Sequence, residues 1–481
     1  MNNSQYQITK WASYLLLAAL MVGGCVVIMH DATYELSDDT MIQARLGIGL
    51  PQSPCQPPVY TPKEGRFFPL GYQHFNVLLL FEPSGVSATT IYAMECVLWC
   101  LILLVFYWIS FLSLPREAGI WRYIIPLCVA TIIGQRILQF YTVLWTCSTM
   151  AFLLLALLIL TWYYYCRDKK KIYLICLLFL TAYYTFCSET NIVVPFMICF
   201  CAVLNIGQEE KRDWPLIFSM AAIVVSFVTL YIVLIFPHIN VSYDPAHGEN
   251  VSYVENAVKI LLNQKLLILT FLIFVWRLYK VFVCKEKYDT FSDTLLSTAV
   301  AIMCANLVLK LNYPIYYLPS IFLSVPAYMR ILDCSTTRKT YLSIICVALV
   351  SLYFIPKYGK LIQSLWNPRT EVKSAMLEFD KVCEENEYIV YYMDEAENRG
   401  VQDAWAKGHL GNHLTYLRHS PALIYPEDSI SGLTKFLLVT PVSHTKDEVF
   451  PLSNTEENDV KFSATAPGII YYQICRGLDL K

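Results

Sequence analysis

Long apolar runs separated by short polar segments fill the first 355 residues of the chain. A run of about 18 or more apolar residues is long enough to cross a lipid bilayer as a helix. The pattern predicts about eleven transmembrane helices, several of them short, at residues Trp11–Ile28, Ile91–Leu112, Trp121–Ile133, Trp145–Tyr165, Ile172–Phe186, Ile192–Ile206, Pro215–Phe236, Leu266–Val283, Leu295–Leu309, Ile315–Ile331 and Tyr341–Ile355.

The composition agrees with a polytopic membrane protein. Of the 481 residues, 56% are hydrophobic and only 15% are charged, and the mean hydropathy is +0.46. A soluble domain has a far larger charged fraction. The formal net charge of -2 offers no basic excess, so we do not expect nucleic acid as a partner.

The distribution of lysine and arginine predicts how the chain is threaded, because these residues collect in short cytoplasmic loops. A cytoplasmic N-terminus places most of them inside: Lys10, Arg116, Arg122, Arg167, Lys169, Lys170, Lys171, Lys211, Arg212, Lys280, Lys285, Lys287, Arg330, Arg338 and Lys339. Fewer fall on the other side: Arg45, Lys63, Arg66, Arg136, Lys259, Lys265 and Lys310. This asymmetry favours an odd number of spans and an external C-terminus.

Two domains follow from this threading. Residues 1–355 form the membrane domain, with external loops at 29–90 and 237–265, and residues 356–481 form an extracytoplasmic C-terminal domain. That tail is charged and rich in turns, with strand-like runs at Tyr388–Met393, Lys435–Thr440 and Gly468–Ile474 and a helical pattern at Glu371–Glu385. We therefore predict a small α/β fold for it.

The first external loop carries the densest set of candidate functional groups. Asp38 and Asp39 follow the first span by about ten residues, and adjacent carboxylates at a membrane surface suit catalysis or cation binding. Farther along the loop, Arg66 and His74 are interleaved with aromatic residues. Rings at headgroup depth beside cations that meet phosphate are typical of an interfacial site.

Three short motifs and the order of parts resemble the GT-C class of polytopic glycosyltransferases, which use polyprenyl- or dolichyl-phosphate sugars. Leu36-Ser-Asp38-Asp39-Thr40 follows a single span, as the catalytic carboxylate does in that class. Cys187-Ser-Glu189-Thr190-Asn191 is similar to its Lys-Glu-Thr turn, with Ser188 in place of lysine. Asn312-Tyr-Pro-Ile-Tyr316-Tyr-Leu-Pro319 is similar to its Arg-Tyr-hydrophobic-Pro stretch, with Tyr316 in place of arginine.

The resemblance implies sugar transfer outside the cytoplasm, from a polyprenyl-phosphate donor to a lipid-linked or cell-surface glycan, in a bacterial inner membrane. Asp38 or Asp39 would deprotonate the acceptor hydroxyl, and the other would orient the acceptor or hold Mg²⁺ or Mn²⁺. No soluble cofactor is required. The residues expected to bind the donor phosphate or the substrate are Arg66, Arg136, Lys310, Glu189, His74 and Tyr316.

Other interpretations remain open from the residues alone. A transporter or flippase of lipid-linked solutes predicts internal repeats and ionisable residues along a pathway near mid-membrane. The sequence has neither repeats nor a mid-membrane chain of acidic residues, and its carboxylates cluster at one surface instead. A polysaccharide polymerase or ligase would use external histidines, which His238 and His247 supply. Individually, Arg136 could be an arginine that snorkels from a helix end, and Glu189 could pair with an arginine in a structural role.

Overall fold

The computed structural model describes most of the membrane domain and only scattered parts of the C-terminal region. The described residues are 3–34, 39–56, 59–139, 147–204, 212–239, 252–311 and 314–331, followed by 359–363, 366, 370, 373–374, 377 and five short strands. Predictions on the remaining residues, including the last predicted span Tyr341–Ile355 and the residue Asp38, lie outside this set.

Helices dominate the described membrane domain. Their bounds are α1 Asn3–Met29, α2 Asp39–Leu46, α3 Ala88–Ser113, α4 Trp121–Leu138, α5 Cys147–Asp168, α6 Lys171–Thr185, α7 Val193–Leu204, α8 Trp214–Leu234, α9 Tyr253–Asn263, α10 Lys265–Leu278, α11 Ser292–Val308 and α12 Leu318–Ile331. All of them except α2 and α9 coincide with predicted spans, and those two lie in the predicted external loops.

Five helices of the described part are long and apolar enough to cross a membrane: Tyr6–Met29, Ala88–Ser113, Thr149–Asp168, Trp214–His238 and Lys265–Val283. Apolar side chains such as Val225 and Val233 of α8 are about two-thirds exposed, as lipid-facing residues are. The protein is therefore an integral membrane protein. The total of eleven spans stays a prediction.

The helix bundle has two ends, which we call the loop face and the basic face. At the loop face α1 ends, α3 begins and the first long loop connects them. At the basic face α5 ends and α6 begins, around Arg167, Lys169 and Lys170. Assignment of the basic face to the cytoplasm follows from the charge rule and stays a prediction.

Large aromatic side chains fill the core between the helices. Phe322 of α12 contacts Phe106 of α3 and Phe152 of α5, with ring centroids 5.1 and 5.2 Å apart. At Gly24 of α1, an added Cβ would lie 2.1 Å from the ring of Trp99. Glycine is therefore required where α1 crosses α3, since any side chain would displace a buried indole.

Short strands occur in two places. A hairpin in the first loop pairs β1 (Tyr60–Thr61) with β2 (Arg66–Phe67). In the tail, β3 (Ile389–Tyr391), β4 (Ile424–Tyr425), β5 (Leu437–Pro441), β6 (Asp459–Phe462) and β7 (Tyr472–Cys475) form a mixed sheet in the order β4-β3-β5-β7-β6. Strand β3 lies within the predicted run Tyr388–Met393, while β5 and β7 overlap the runs Lys435–Thr440 and Gly468–Ile474 and each extends one residue beyond its run. The domain boundary at residue 356 and the α/β fold of the tail stay predictions.

Candidate active site

Helix α2 carries the second member of the acidic pair into the loop face. Asp39 is its first residue, while Asp38 lies just outside the described residues. Ile42 and Leu46 anchor α2 in the core, and the backbone carbonyl of Leu46 accepts a hydrogen bond of 2.7 Å from the N–H of Val86. The end of α2 is thus held against the segment that leads into α3.

The hairpin β1–β2 places Arg66 on the same face. Gly65 turns the chain with a φ of +76°, a left-handed conformation that glycine adopts without strain. Its carbonyl oxygen accepts a hydrogen bond of 2.8 Å from the hydroxyl of Tyr231, near the end of α8. The turn that precedes Arg66 is therefore fastened to a helix of the bundle.

Glu189 joins this hairpin to the second motif, Cys187-Ser-Glu189-Thr190-Asn191, through a hydrogen bond. It begins a 3₁₀ helix, Glu189–Ile192, in the turn between α6 and α7, and its Oε1 accepts a hydrogen bond of 2.7 Å from the backbone N–H of Phe67. Three residues farther along the chain, the N–H of Leu70 donates to the carbonyl of Phe186 at 3.1 Å. The segment after Arg66 thus runs along the α6–α7 turn.

Burial and charge act on Glu189 in opposite directions. Burial raises the pKa of its carboxyl, while the hydrogen bond from Phe67 and the positive charge of Arg66 oppose that rise. The net direction is upward. The structure therefore brings Arg66 and Glu189 together, and it supports a structural role for Glu189 as an anchor of the hairpin.

An apolar cavity of about 230 Å³ lies beside Glu189. Its walls are Ile192 and the α8 residues Phe227, Val228, Tyr231 and Ile232. Val228 and Ile232 are 40% and 54% exposed on a helix that is long and apolar enough to span the membrane. The cavity therefore opens toward lipid, with a carboxyl group at its polar end.

Lys310 and Tyr316 lie on the same face at the end of α11. Lys310 has a left-handed φ of 53°, and its Nζ lies 4.7 Å from the ring centroid of Tyr253 in α9. The carbonyl of Tyr316 accepts a hydrogen bond of 2.6 Å from Asn306 Nδ2. Helix α11 also packs against the 3₁₀ helix that begins at Glu189.

Arg136 and His74 occupy different surroundings. Arg136 lies half-buried in the last turn of α4. A positive charge at this position interacts favourably with the negative end of the helix dipole. His74 is buried beside Phe75, and this burial lowers its pKa to about 3. At neutral pH His74 is therefore an uncharged imidazole, and any binding role for it would rest on hydrogen bonding.

Among the described side chains, which do not include those of Asp38 and Asp39, no three carboxylate, histidine or cysteine groups converge as a metal site. His238 is exposed in a short 3₁₀ helix, Phe236–His238, after α8, while His247 falls outside the described residues. The role of Tyr231 was not predicted from the sequence. Its only signal was a tyrosine close to the end of an apolar helix.

Among solved structures, the chain is similar to the crystal structure of ArnT from Cupriavidus metallidurans in the apo state. The likeness covers 97% of this chain and 98% of that chain, with a TM-score of 0.50 and 10% sequence identity. ArnT is a glycosyltransferase of the GT-C class. This chain has the GT-C fold.

The GT-C fold confirms the resemblance predicted from the three motifs. No protein-family model matches the chain, and no curated protein matches it. At 10% identity the likeness establishes the architecture of the chain and says nothing of its substrates. The chemistry has to be argued from the residues of the loop face.

Proposed function

We propose that this protein is a membrane glycosyltransferase that moves a sugar from a polyprenyl-phosphate donor to a lipid-linked or cell-surface glycan. The reaction would take place at the loop face, on the extracytoplasmic side of a bacterial inner membrane. The proposal rests on the GT-C fold and on one local observation, the cation Arg66 beside the partly buried carboxyl group of Glu189 and an apolar cavity open to lipid.

That arrangement suits a ligand with a phosphate head and a long apolar chain. The guanidinium of Arg66 could form charge-assisted hydrogen bonds with the phosphate, and the cavity along α8 could take the first part of the chain. Arg136 and Lys310, on the same face, are the further candidates for the phosphate. Glu189 would act indirectly, since its hydrogen bond to Phe67 positions the strand that carries Arg66.

The acidic pair would supply the base. The acceptor hydroxyl loses its proton to Asp38 or Asp39 as its oxygen attacks the anomeric carbon, and the bond from that carbon to the phosphate oxygen breaks. The polyprenyl phosphate leaves with the bonding electron pair, and nearby cations stabilise its charge. Attack from the opposite side would invert the anomeric centre. The second carboxylate would orient the acceptor or hold a divalent cation.

The test is transfer of sugar from a radiolabelled polyprenyl-phosphate hexose in membranes that hold equal amounts of the native chain or a variant. We expect Asp38→Asn or Asp39→Asn to lower the rate by roughly 10²- to 10⁴-fold, the usual contribution of a general base. Glu117→Gln, an exposed carboxylate at the basic face, is the matched control and should leave the rate unchanged. Transfer that survives both aspartate substitutions would contradict the assigned base.

A polysaccharide ligase or polymerase is the second candidate, because His238 is exposed near the loop face. In that case the native chain would transfer a preformed oligosaccharide, and His238→Ala or His247→Ala would abolish the activity. Under the glycosyltransferase proposal both histidine variants keep normal hexose transfer. Comparing the histidine and aspartate variants on both substrates therefore separates the two functions.

A further inference from the structure

A second cavity lies at the opposite end of the bundle from the candidate active site. It measures about 310 Å³, within the range of roughly 300–1,000 Å³ typical of ligand sites. Its walls are formed by α7, by the end of α10 with the turn after it, and by α11. The apolar side chains that line it include Phe200, Leu204, Leu278, Phe282, Leu296 and Val300. The lining is almost entirely apolar.

The cavity opens sideways between helices rather than toward water. Phe200, Leu204, Leu278 and Phe282 are between 40% and 53% exposed. Two of these residues belong to the candidate span Lys265–Val283 and two to the apolar helix Glu189–Leu204, so the solvent that meets them is lipid. An apolar chain from the membrane is therefore the ligand that can enter.

A change of helix type shapes one wall. Helix α10 ends at Leu278 and continues as a π-helix, Tyr279–Val283, in which Val281 and Phe282 face the cavity. π-helical turns are rare and occur frequently at functional sites. Here the wider turn lies where the wall passes from apolar residues to the charged residues of the basic face.

Charged groups close the polar end of the cavity. Arg277 donates from Nε and Nη2 to the two carboxylate oxygens of Asp293, each at 2.8 Å, and from Nη1 to Glu286 at 2.7 Å. Arg330 contacts Glu286 and Asp289 at 3.2 and 3.3 Å. Each charged group of this network has a neighbour of opposite charge, so the network forms a fixed end wall.

Three lysines lie close along the chain to the residues of this end wall. Lys280 lies within the π-helix, with its Nζ 6.0 Å from the Trp276 ring centroid, and the exposed Lys285 and Lys287 follow on the loop before α11. Across this end of the bundle, cationic side chains outnumber carboxylates. A ligand that presents phosphate to the lysines and an apolar chain to the cavity would match both features.

We propose that this cavity binds an anionic phospholipid from the leaflet at the basic face, with one acyl chain between α7, α10 and α11 and its phosphate among Lys280, Lys285 and Lys287. The site is separate from the proposed sugar-transfer site and does not depend on it. Since α7 and α11 run from this cavity to Glu189 and Lys310, the bound chain would also fix the spacing of the two helices that reach the loop face.

The test measures lipid retained by the purified full-length chain, using native mass spectrometry after exchange into phosphatidylglycerol or phosphatidylcholine. A phosphatidylglycerol with a photoreactive group on its acyl chain then locates the contact by peptide mapping. We expect preferential retention of phosphatidylglycerol and adducts on residues 197–204, 274–282 and 296–301. Lys285→Gln with Lys287→Gln should weaken phosphatidylglycerol binding by about fivefold for each lysine, at about 1 kcal/mol per charge.

Two further variants separate the cavity from the general lipid surface. Ala301→Trp places an indole in the cavity and should remove the adducts, whereas Ala222→Trp on the exposed surface of α8 should not. Lys170→Gln with Lys171→Gln, on another loop of the basic face, is the charge control and should keep binding. Thermal unfolding confirms that each variant is folded.

Three results would overturn the proposal: equal retention of the two phospholipids, adducts spread evenly over lipid-facing helices, or displacement of phosphatidylglycerol by equimolar polyprenyl phosphate. The last would assign the cavity to a carrier lipid instead. Because the readout is lipid binding, loss of the proposed sugar transfer in the aspartate variants has no bearing on it.

Discussion

Glu189 and Phe67 are separated by 122 positions in the chain, yet the Glu189 carboxylate accepts a 2.7 Å hydrogen bond from the Phe67 backbone N–H. Phe67 is buried and Glu189 is partly buried, so this hydrogen bond is partly shielded from water. The contact fastens the strand after Arg66 to the turn between two membrane helices. It makes the α6–α7 turn and the first long loop one structural unit.

Removal of the acceptor should destabilise this unit. Glu189→Ala leaves the Phe67 N–H unsatisfied and should lower the free energy of unfolding by about 1–3 kcal/mol. Glu189→Gln keeps a carbonyl oxygen at the same position and should cost less. Thermal unfolding of the purified chain in detergent measures both. Equal effects of the two substitutions would mean that the hydrogen bond contributes nothing.

The raised pKa of Glu189 also predicts how stability depends on pH. A carboxyl whose pKa is higher in the folded state favours folding while it is protonated, and this advantage is lost as the pH rises through the raised pKa. The native chain should therefore lose stability relative to Glu189→Gln as the pH rises above the ordinary glutamate range, near about 4.3. Unfolding temperatures of the two proteins across pH 4 to 8 (roughly one step per unit) test this.

His74 should show the opposite dependence. Its pKa falls to about 3 in the folded protein, so unfolding takes up a proton below the ordinary histidine pKa of about 6.5. The native chain should lose about 1.4 kcal/mol for each pH unit below that value, until the folded pKa is reached. His74→Leu should not show this loss, whereas the exposed His238→Leu should behave like the native chain. Parallel pH profiles for the native chain and His74→Leu would contradict the burial of this ring.

The end of α1 makes a second long-range contact, to the segment that precedes the C-terminal sheet. Asp31 accepts hydrogen bonds from Lys373 Nζ at 3.0 Å and Thr370 Oγ1 at 2.7 Å, and these bonds lower its pKa. Lys373→Asp should increase deuterium exchange at residues 359–377, and the added change Asp31→Lys should restore protection. The ion pair between Asp31 and Lys373 contributes about 0.2–1 kcal/mol to the stability of this contact, since both side chains are partly exposed. Because the Asp31 pKa is lowered, protection should be lost as the pH falls through that pKa.

Threading can be tested with two exposed cysteines on opposite faces. Cys55 lies in the first loop and Cys284 follows the π-helix at the basic face. In variants that keep only one of them, a membrane-impermeant maleimide should label Cys55 in intact cells and Cys284 only after permeabilisation. The reverse pattern would invert the predicted orientation and move the proposed reaction to the cytoplasm.

Much of the helical part could be predicted because hydropathy and length act locally. Every predicted span in the described residues coincides with a helix, including short ones such as α7 and α12. Helix α9 was missed because its apolar residues occupy one side of a helix that also carries Glu255 and Lys259, so no continuous apolar run marks it. An averaged hydropathy signal is weak for such a sequence.

The candidate site was less accessible to sequence reasoning. The sequence indicates the motif around Glu189 and the cation Arg66 separately, and it leaves open a pairing of Glu189 with an arginine. What joined them was a backbone hydrogen bond at Phe67 and a second at Gly65, from Tyr231. Both hydrogen bonds use a backbone group, which is the same for nearly every amino acid. A pattern of residue types therefore does not predict them. Asp38 and Asp39 remain predictions as catalytic groups.

Anchorage through a backbone group also affects how far the sequences of proteins with this fold can diverge. A carboxylate that grips a peptide N–H constrains one residue of the pair and leaves the other free to change, since every amino acid except proline offers the same donor. The first long loop can therefore exchange its side chains, and with them the sugar and acceptor that we propose it binds, without being released from the helices beneath it. The residues that bind a ligand can thus change while the contacts that anchor the loop stay the same. This is compatible with the fold that this chain shares with ArnT at 10% sequence identity.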